Sequence, residues 1–229
     1  MKQKLVVLTG AGISAESGIK TFRDSGGLWE NHRVEDVASP EGWQNDRVLV
    51  LNFYNERRKQ LLECKPNRAH YALAELQTKV DVTIITQNVD DLHERAGSSK
   101  VLHLHGELLK MRSSVDEYLV YDCQHDILEG DKCERGSQLR PHIVWFGEAV
   151  PMMDEAIPVV RQADIFIVVG TSLVVYPAAG LVNYTRYETP KWLIDPSDMP
   201  LPRVPNLKFI NEKATVGVDY LVNQLLTEE

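Results

Sequence analysis

The chain has 229 residues, a formal net charge of −8 and a pI near 5.4. An acidic balance without a Lys/Arg run argues against a protein built to bind DNA, RNA or an anionic membrane. No apolar run reaches transmembrane length and the N-terminus does not read as a signal sequence, so the expected location is cytoplasmic. Cys64, Cys123 and Cys133 are too few for a disulfide scaffold and fit a reducing compartment.

Residues 5–8 form an apolar strand candidate that turns at Gly10 and Gly12. A short buried-type strand followed by close glycines is how an open α/β sheet presents backbone amides to a pyrophosphate. Gly10 would allow the tight turn, and Gly12 would let backbone approach the phosphates with no Cβ in the way. The third glycine of the usual dinucleotide fingerprint is displaced: Gly18 comes six residues later rather than three. The plain alternative is an ordinary glycine-rich βα turn.

Residues 14–20 are a helix candidate, and 22–35 lack a period and read as a functional loop. Residues 48–62 read as a helix with Tyr54 and Arg57 on one face, since they stand three apart. A second helix over 67–77 leads to a strand over 80–85. The loop after it, TQNVDDLHERA, sits where open α/β sheets place ligands. A strand over 101–104 ends at His105, and the polar stretch 110–140 reads as a small insertion. Beyond it follow a strand and turn in HIVWFGE, a helix over 152–161, and an apolar strand over 165–169 ending in Gly170, Thr171 and Ser172. A helix over 178–184, strands over 192–194 and 207–210, and a closing helix over 216–226 complete the chain. Near-continuously apolar strands alternating with helices predict an α/β fold with a Rossmann-like, parallel doubly wound sheet. Residues 1–109 and 141–229 would form the large domain and 110–140 the small inserted one. Residues 24–65 would contribute a helical insertion.

Five blocks in order, GAGISAESGIKTFR (10–23), TQNVDDLHERAG (86–97), LHG (104–106), PHIVWFGE (141–148) and GTSLVVYPAA (170–179), resemble the sirtuins, the NAD-dependent protein-lysine deacylases. The resemblance covers nearly the whole chain. FYNERRKQ also resembles a bacterial subgroup associated with removing acidic acyl groups as well as acetyl. The resemblance implies that Gly10, Ala11, Gly12 and Ser14 line the pyrophosphate turn. Phe22 and Arg23 would belong to a loop that closes over NAD. Gln87, Asn88 and Asp90 would surround the nicotinamide ribose and carboxamide, with Asn88 and Asp90 counted among the catalytic residues. His105 would be the base. Val144, Trp145, Phe146 and Gly147 would receive the acyl-lysine peptide. Gly170, Thr171 and Ser172 would contact the phosphate or adenosine ribose, as would Asp195, where many relatives carry asparagine. The partners implied are NAD and acylated lysine side chains of proteins, not nucleic acid or membrane.

The reaction implied by the family joins the acyl oxygen to the ribose anomeric carbon as nicotinamide leaves, and yields free lysine and O-acyl-ADP-ribose. It needs a base working near neutrality, which suits histidine. Without the family, His105 would read as a strand-end histidine satisfied by backbone. His103 is its nearest rival and shares its side only if the strand continues, while His93 and His142 read as loop or packing residues. Asn88 and Asp90 alone could be a cap and turn. Tyr54 and Arg57 alone could be a surface pair; in the sharper reading, Arg57 grips a succinyl or malonyl carboxylate bidentately while Tyr54 adds a third bond. Family members typically hold a structural zinc on four cysteines. Here Met111, Arg112, Ser113 and Ser114 stand where the first pair would be, and Gly136 stands where Cys133 would have its partner. Cys123, His125 and Cys133 leave the set one ligand short, so no metal site and no structural zinc are expected. The competing functions are protein mono-ADP-ribosyl transfer and a non-catalytic NAD- or ADP-ribose-binding module.

Overall fold

The computed structural model describes residues 2–20, 28–29, 31–198 and 203–227. In chain order the elements begin with β1 (Lys4–Thr9), β2 (Leu28–Trp29) and β3 (His32–Arg33). Four helices follow: α1 (Val34–Val37), α2 (Pro40–Asn45), α3 (Arg47–Glu63) and α4 (Arg68–Leu76). Next come β4 (Asp81–Thr86), α5 (Leu92–Arg95), β5 (Val101–His103), β6 (Gly106–Ser113), β7 (Val120–Asp122) and β8 (Leu139–Ile143). The chain continues with α6 (Met153–Arg161), β9 (Ile165–Val169), β10 (Lys191–Ile194), β11 (Leu207–Ile210) and α7 (Ala214–Thr227).

The large sheet has the order β11-β10-β9-β1-β4-β5, and every pairing in it is parallel. β1 lies between β4 and β9, with Val6 level with both Thr83 and Phe166. Its last five residues are buried, as expected of a strand covered on both faces. On one face Leu5 and Val7 pack with Leu73 and Leu76 of α4 and with Val218 and Leu221 of α7. On the other, Val6 and Leu8 pack with Ala156 and Val160 of α6 and with Leu181. From β1 the chain moves outward to β4 and β5, then returns to β9 on the opposite side. The reversal lies between the carboxyl ends of β1 and β9, the place where such sheets open a crevice.

A third apolar cluster carries the small antiparallel sheet, of order β7-β6-β8. Leu108, Leu139 and Ile143 of that sheet pack with Val50, Leu51 and Leu61 of α3. This sheet spans 106–143, because the residues flanking the polar stretch pair, Gly106 with Ile143 and Met111 with Pro141, with a shift of register between Glu107 and Met111.

Local signals explain several helix starts. Asp46 accepts from the Leu49 amide at the start of α3, and Ser39 accepts from the Gly42 amide at the start of α2. In α4, Asn67 caps the first turn while His70 Nδ1 accepts from the Asn67 amide, a capping box with imidazole in place of the usual carboxylate.

The helix expected over 14–20 is absent. That stretch holds one 3₁₀ turn, Ala15–Ser17, stopped at Gly18 with φ of +93°, and another, Ala11–Ile13, precedes it. The 178–184 helix is also 3₁₀. Of the expected 22–35 loop, the described part pairs Leu28–Trp29 with His32–Arg33 and then enters α1. Phe22 and Arg23 lie outside the described residues.

Candidate active site

One large cavity, about 1270 Å³ in volume, runs along the carboxyl ends of the parallel strands. Its walls follow the sheet order: Asp195 after β10, Gly170, Thr171 and Ser172 after β9, Gly10, Ala11 and Gly12 after β1, Gln87, Asn88 and Asp90 after β4, and His105 after β5. Five strands at the usual spacing span about 19 Å between the outer two, enough for two nucleosides joined by pyrophosphate to lie across them. The wall opposite holds Tyr54 and Arg57 of α3 and the 144–147 segment that follows β8.

The glycines at the crevice have a reason that the sequence did not reveal. A Cβ on Gly12 would stand 2.6 Å from the Gly170 Cα, and Gly170 itself has φ of +65°. The two turns therefore close on each other backbone to backbone. The Gly10 and Gly12 amides donate to Val169 O and Gly170 O, and the Ile13 and Ser14 amides donate within the turn. The expected row of amides open to a phosphate is thus mostly committed to the protein.

Ser14 also departs from expectation. It is fully buried and does not line the cavity. Its hydroxyl donates to Asp90 Oδ2 at 2.9 Å and accepts from Asn88 Nδ2 at 3.1 Å. The Nε2 of His70, 3.4 Å away, must carry that ring's proton because Nδ1 accepts from the Asn67 amide. Burial pushes the His70 pKa down to about 4 and raises that of Asp90, although Leu92 N–H and Ser14 Oγ–H both bond the carboxylate. Ser14 is therefore a hub beneath the wall that aims Asn88 and Asp90 into the cavity.

His105 Nδ1 lies 3.0 Å from the Gln87 carbonyl oxygen. A carbonyl can only accept, so Nδ1 carries the proton and Nε2 holds the lone pair of the neutral ring. Burial holds the pKa below its ordinary value, against a smaller upward pull from that carbonyl. This imidazole can accept a proton at Nε2 near neutral pH. The strand does not continue: β5 ends at His103, residues 104–105 bend, and His103 does not line the cavity. Its Nδ1 is 3.1 Å from Asn88 O and its Nε2 is 2.8 Å from Glu94 Oε1. His93 and His142 sit away from the cavity wall, His93 fully buried and 3.1 Å from Thr9 Oγ1.

Trp145 is fixed from every side. Its ring lies 3.3 Å from the Arg140 guanidinium and 5.6 Å from Trp43, and Nε1 donates to the Tyr54 hydroxyl at 3.1 Å. Its amide donates to Glu148, whose carboxylate is clamped by Arg140. Burial alone would raise the Glu148 pKa, but Arg140 holds it below the usual range. Because the Tyr54 hydroxyl accepts from Trp145, its own proton remains to donate, and burial pushes its pKa well up. Arg57 is buried beside it, its guanidinium 4.4 Å from the Trp29 ring. Phe146 is half exposed at the rim.

Trp29, Val174, Tyr176 and Lys213 also line the cavity and were not expected from the sequence. Trp29 follows two glycines in an aperiodic stretch, which was the only available signal. Lys213 is brought in solely by the path of the chain into α7.

The fold and crevice define a doubly wound α/β protein with a dinucleotide-sized cleft closed by a small antiparallel sheet and a helical insertion. The Sir2 family profile matches residues 10–177. Over 230 residues the chain is 54% identical to an NAD-dependent protein deacylase of Bacteroides thetaiotaomicron, covering 98% of each chain. It is 55% identical over 224 residues to one of Helicobacter pylori, again covering 98% of each. A crystal structure of a Sir2 homologue in complex with NAD superposes with a TM-score of 0.87 at 40% identity, covering 98% of this chain and 90% of that one. The chain belongs to the Sir2 family.

Proposed function

We propose that this chain is an NAD-dependent protein-lysine deacylase that removes acetyl and succinyl or malonyl groups, giving nicotinamide and O-acyl-ADP-ribose. The full-length similarity to relatives named as NAD-dependent protein deacylases supports the class. The observation that carries the reading is His105, partly buried with its proton fixed on Nδ1, in the same cavity as the β1 and β9 turns and the Tyr54–Arg57 pair.

The cavity walls fit NAD. Their donors and acceptors at Thr171, Ser172, Gln87, Asn88 and Asp90 suit ribose hydroxyls, phosphate and a carboxamide, and the Gly12–Gly170 contact keeps side chains out of the crevice. NAD would supply an anomeric carbon bearing a good leaving group. Gln87 and Asn88 would hold the nicotinamide ribose and carboxamide, and Asp90 would orient them through its hydroxyl partner Ser14. His105 Nε2 would take the proton from a ribose hydroxyl. Val144, Phe146 and Gly147 would pass the apolar lysine stem toward Trp145. At the far end the Tyr54 hydroxyl and Arg57 would meet the acyl group, and a terminal carboxylate there would accept their hydrogen bonds.

On this reading the small sheet would hold no zinc of the family kind. Cys123 Sγ–H donates to the His125 carbonyl, Met111 and Arg112 lie in β6, and among the described residues no three His, Cys, Asp or Glu side chains are grouped to hold a metal. The Leu108, Ile127 and Leu139 cluster with α3 holds the sheet instead. Metal analysis of purified protein giving one zinc per chain would overturn this part.

The test is nicotinamide release and peptide mass with NAD and two peptides differing only in acetyl- or succinyl-lysine, beside a His105→Ala control. Release with both peptides that is lost in the variant supports the proposal. Label from NAD on the protein itself would favour ADP-ribosyl transfer, and NAD binding without any release would favour a binding module.

A further inference from the structure

Three consecutive carbonyls after β4 are each held by a separate donor. His105 Nδ1 meets Gln87 O at 3.0 Å, His103 Nδ1 meets Asn88 O at 3.1 Å, and the Leu108 amide donates to Val89 O at 2.8 Å. The loop they hold carries Asn88 and Asp90 into the cavity. Two of the three donors are imidazoles, one on the last residue of β5 and the other in the bend that follows it. They differ in one respect. His105 has a free Nε2, whereas the His103 Nε2 is 2.8 Å from Glu94 Oε1 of α5. A backbone carbonyl and a carboxylate can only accept, so both His103 nitrogens must donate and the ring is an imidazolium. A neutral ring, with one N–H, could keep only one of the two bonds.

The geometry points to His103 as a positioning residue: its charged ring, paired with Glu94, ties the Asn88 backbone and α5 to β5 and so aims the Asn88 side chain at the reacting end of the cavity. This rests on the proposed role of Asn88 in holding the nicotinamide ribose. Beside the ring stand Glu94 and His93 on α5, Glu107 on β6 and Asp90 in the loop. The carboxylates favour the charged ring and buried His93 is neutral. Burial lowers the His103 pKa, but Glu94, Glu107 and the Asn88 carbonyl together outweigh it, and the net shift is upward. The bond to Asn88 is therefore present below the raised pKa and is put in competition with the Glu94 bond above it. Activity should show an alkaline limb set by His103, separate from the acid limb set by His105.

Ring ¹⁵N spectra and steady-state nicotinamide release, with kcat and KM for NAD, decide the matter across about pH 6 to 9.5. The variants are Glu94→Gln, His103→Asn and His103→Leu. An asparagine amide can reach the Asn88 carbonyl as Nδ1 does, without a charge. The native ring should be doubly protonated at neutral pH, and Glu94→Gln should move both its titration and the alkaline limb to lower pH. His103→Leu should lose about tenfold in kcat, the factor that one net hydrogen bond is worth. His103→Asn should recover most of that loss and have no alkaline limb. A neutral native ring at pH 7, a limb unmoved by Glu94→Gln, or equal losses in the Leu and Asn variants would overturn the inference. If the native protein releases no nicotinamide, the deacylase proposal fails by itself. Calorimetric NAD affinity then decides this one: a fall between about pH 7 and about pH 9 that is absent in His103→Asn supports it, and no fall overturns it.

Discussion

The Ser14 hydroxyl donates to the Asp90 carboxylate at 2.9 Å, linking the turn after β1 to the loop after β4 in a place where both side chains are buried. Removing it strands two polar groups, Asp90 Oδ2 and Asn88 Nδ2. Ser14→Ala should destabilise the fold by about 1–3 kcal/mol, the cost of leaving such groups unmet. It should also raise the Asp90 pKa further, so that NAD binding weakens more at pH 6 than at pH 8. Urea unfolding and calorimetry at the two pH values would check this, and an unchanged affinity ratio would remove Ser14 from the site's electrostatics.

Arg57→Met keeps an apolar stem of similar length and removes the guanidinium that lies over Trp29 and Phe53 and would grip a carboxylate. Succinyl turnover should fall by about 100-fold, corresponding to about 2.7 kcal/mol for a charged bidentate contact, while acetyl turnover changes by no more than about threefold. Tyr54→Phe should act in the same direction with a smaller effect, since it leaves Trp145 Nε1 without its acceptor. Equal losses on both peptides would sink the acyl-carboxylate role.

His105 is neutral at physiological pH because burial holds its pKa below the ordinary 6.5. The acid limb of kcat/KM should therefore lie below pH 6.5, with activity lost as Nε2 takes a proton. A profile of nicotinamide release from pH 5 to 8 tests this, and a limb above 7 would point to another group.

Stability should also fall in acid, for a reason that can be traced to named groups. His70 and His142 both have pKa values lowered to about 4 by burial. Below 6.5 the unfolded chain binds protons that the folded chain refuses, so stability drops as pH falls from 6.5 to 4, by up to about 1.4 kcal/mol per pH unit for each ring. His70→Asn retains an acceptor for the Asn67 amide and should flatten that slope. Urea midpoints at pH 7 and pH 5 measure it.

Gly12→Ala places its Cβ 2.6 Å from the Gly170 Cα with backbone on both sides, so neither turn can yield without moving its strand. We expect a loss of about 2 kcal/mol or more in stability and a weaker NAD affinity. Gly147→Ala, at φ of +91° with open space around it, should cost only the backbone strain of about 1–2 kcal/mol.

The apolar runs at 5–8 and 165–169 were legible in the sequence, because a strand buried on both faces has little choice but to be continuously apolar, and so were the strand near 80–85 and the helices near 48–62, 67–77 and 152–161. The place of His105, Tyr54 and Arg57 around one cavity was legible too, through motif blocks that bring their neighbours with them. The 3₁₀ turns at 11–17 were not, since helical spacing over seven residues cannot say that Gly18 will stop the chain in the left-handed region. Nor could the sequence tell that Gly12 packs on Gly170, that Ser14 lies under the wall rather than on it, or that His103 grips Asn88 and Glu94 at once. Each of those facts depends on which strand ends are neighbours. β1 and β9 are adjacent in the sheet but more than 150 residues apart in the chain, and only the tertiary structure sets that distance to zero.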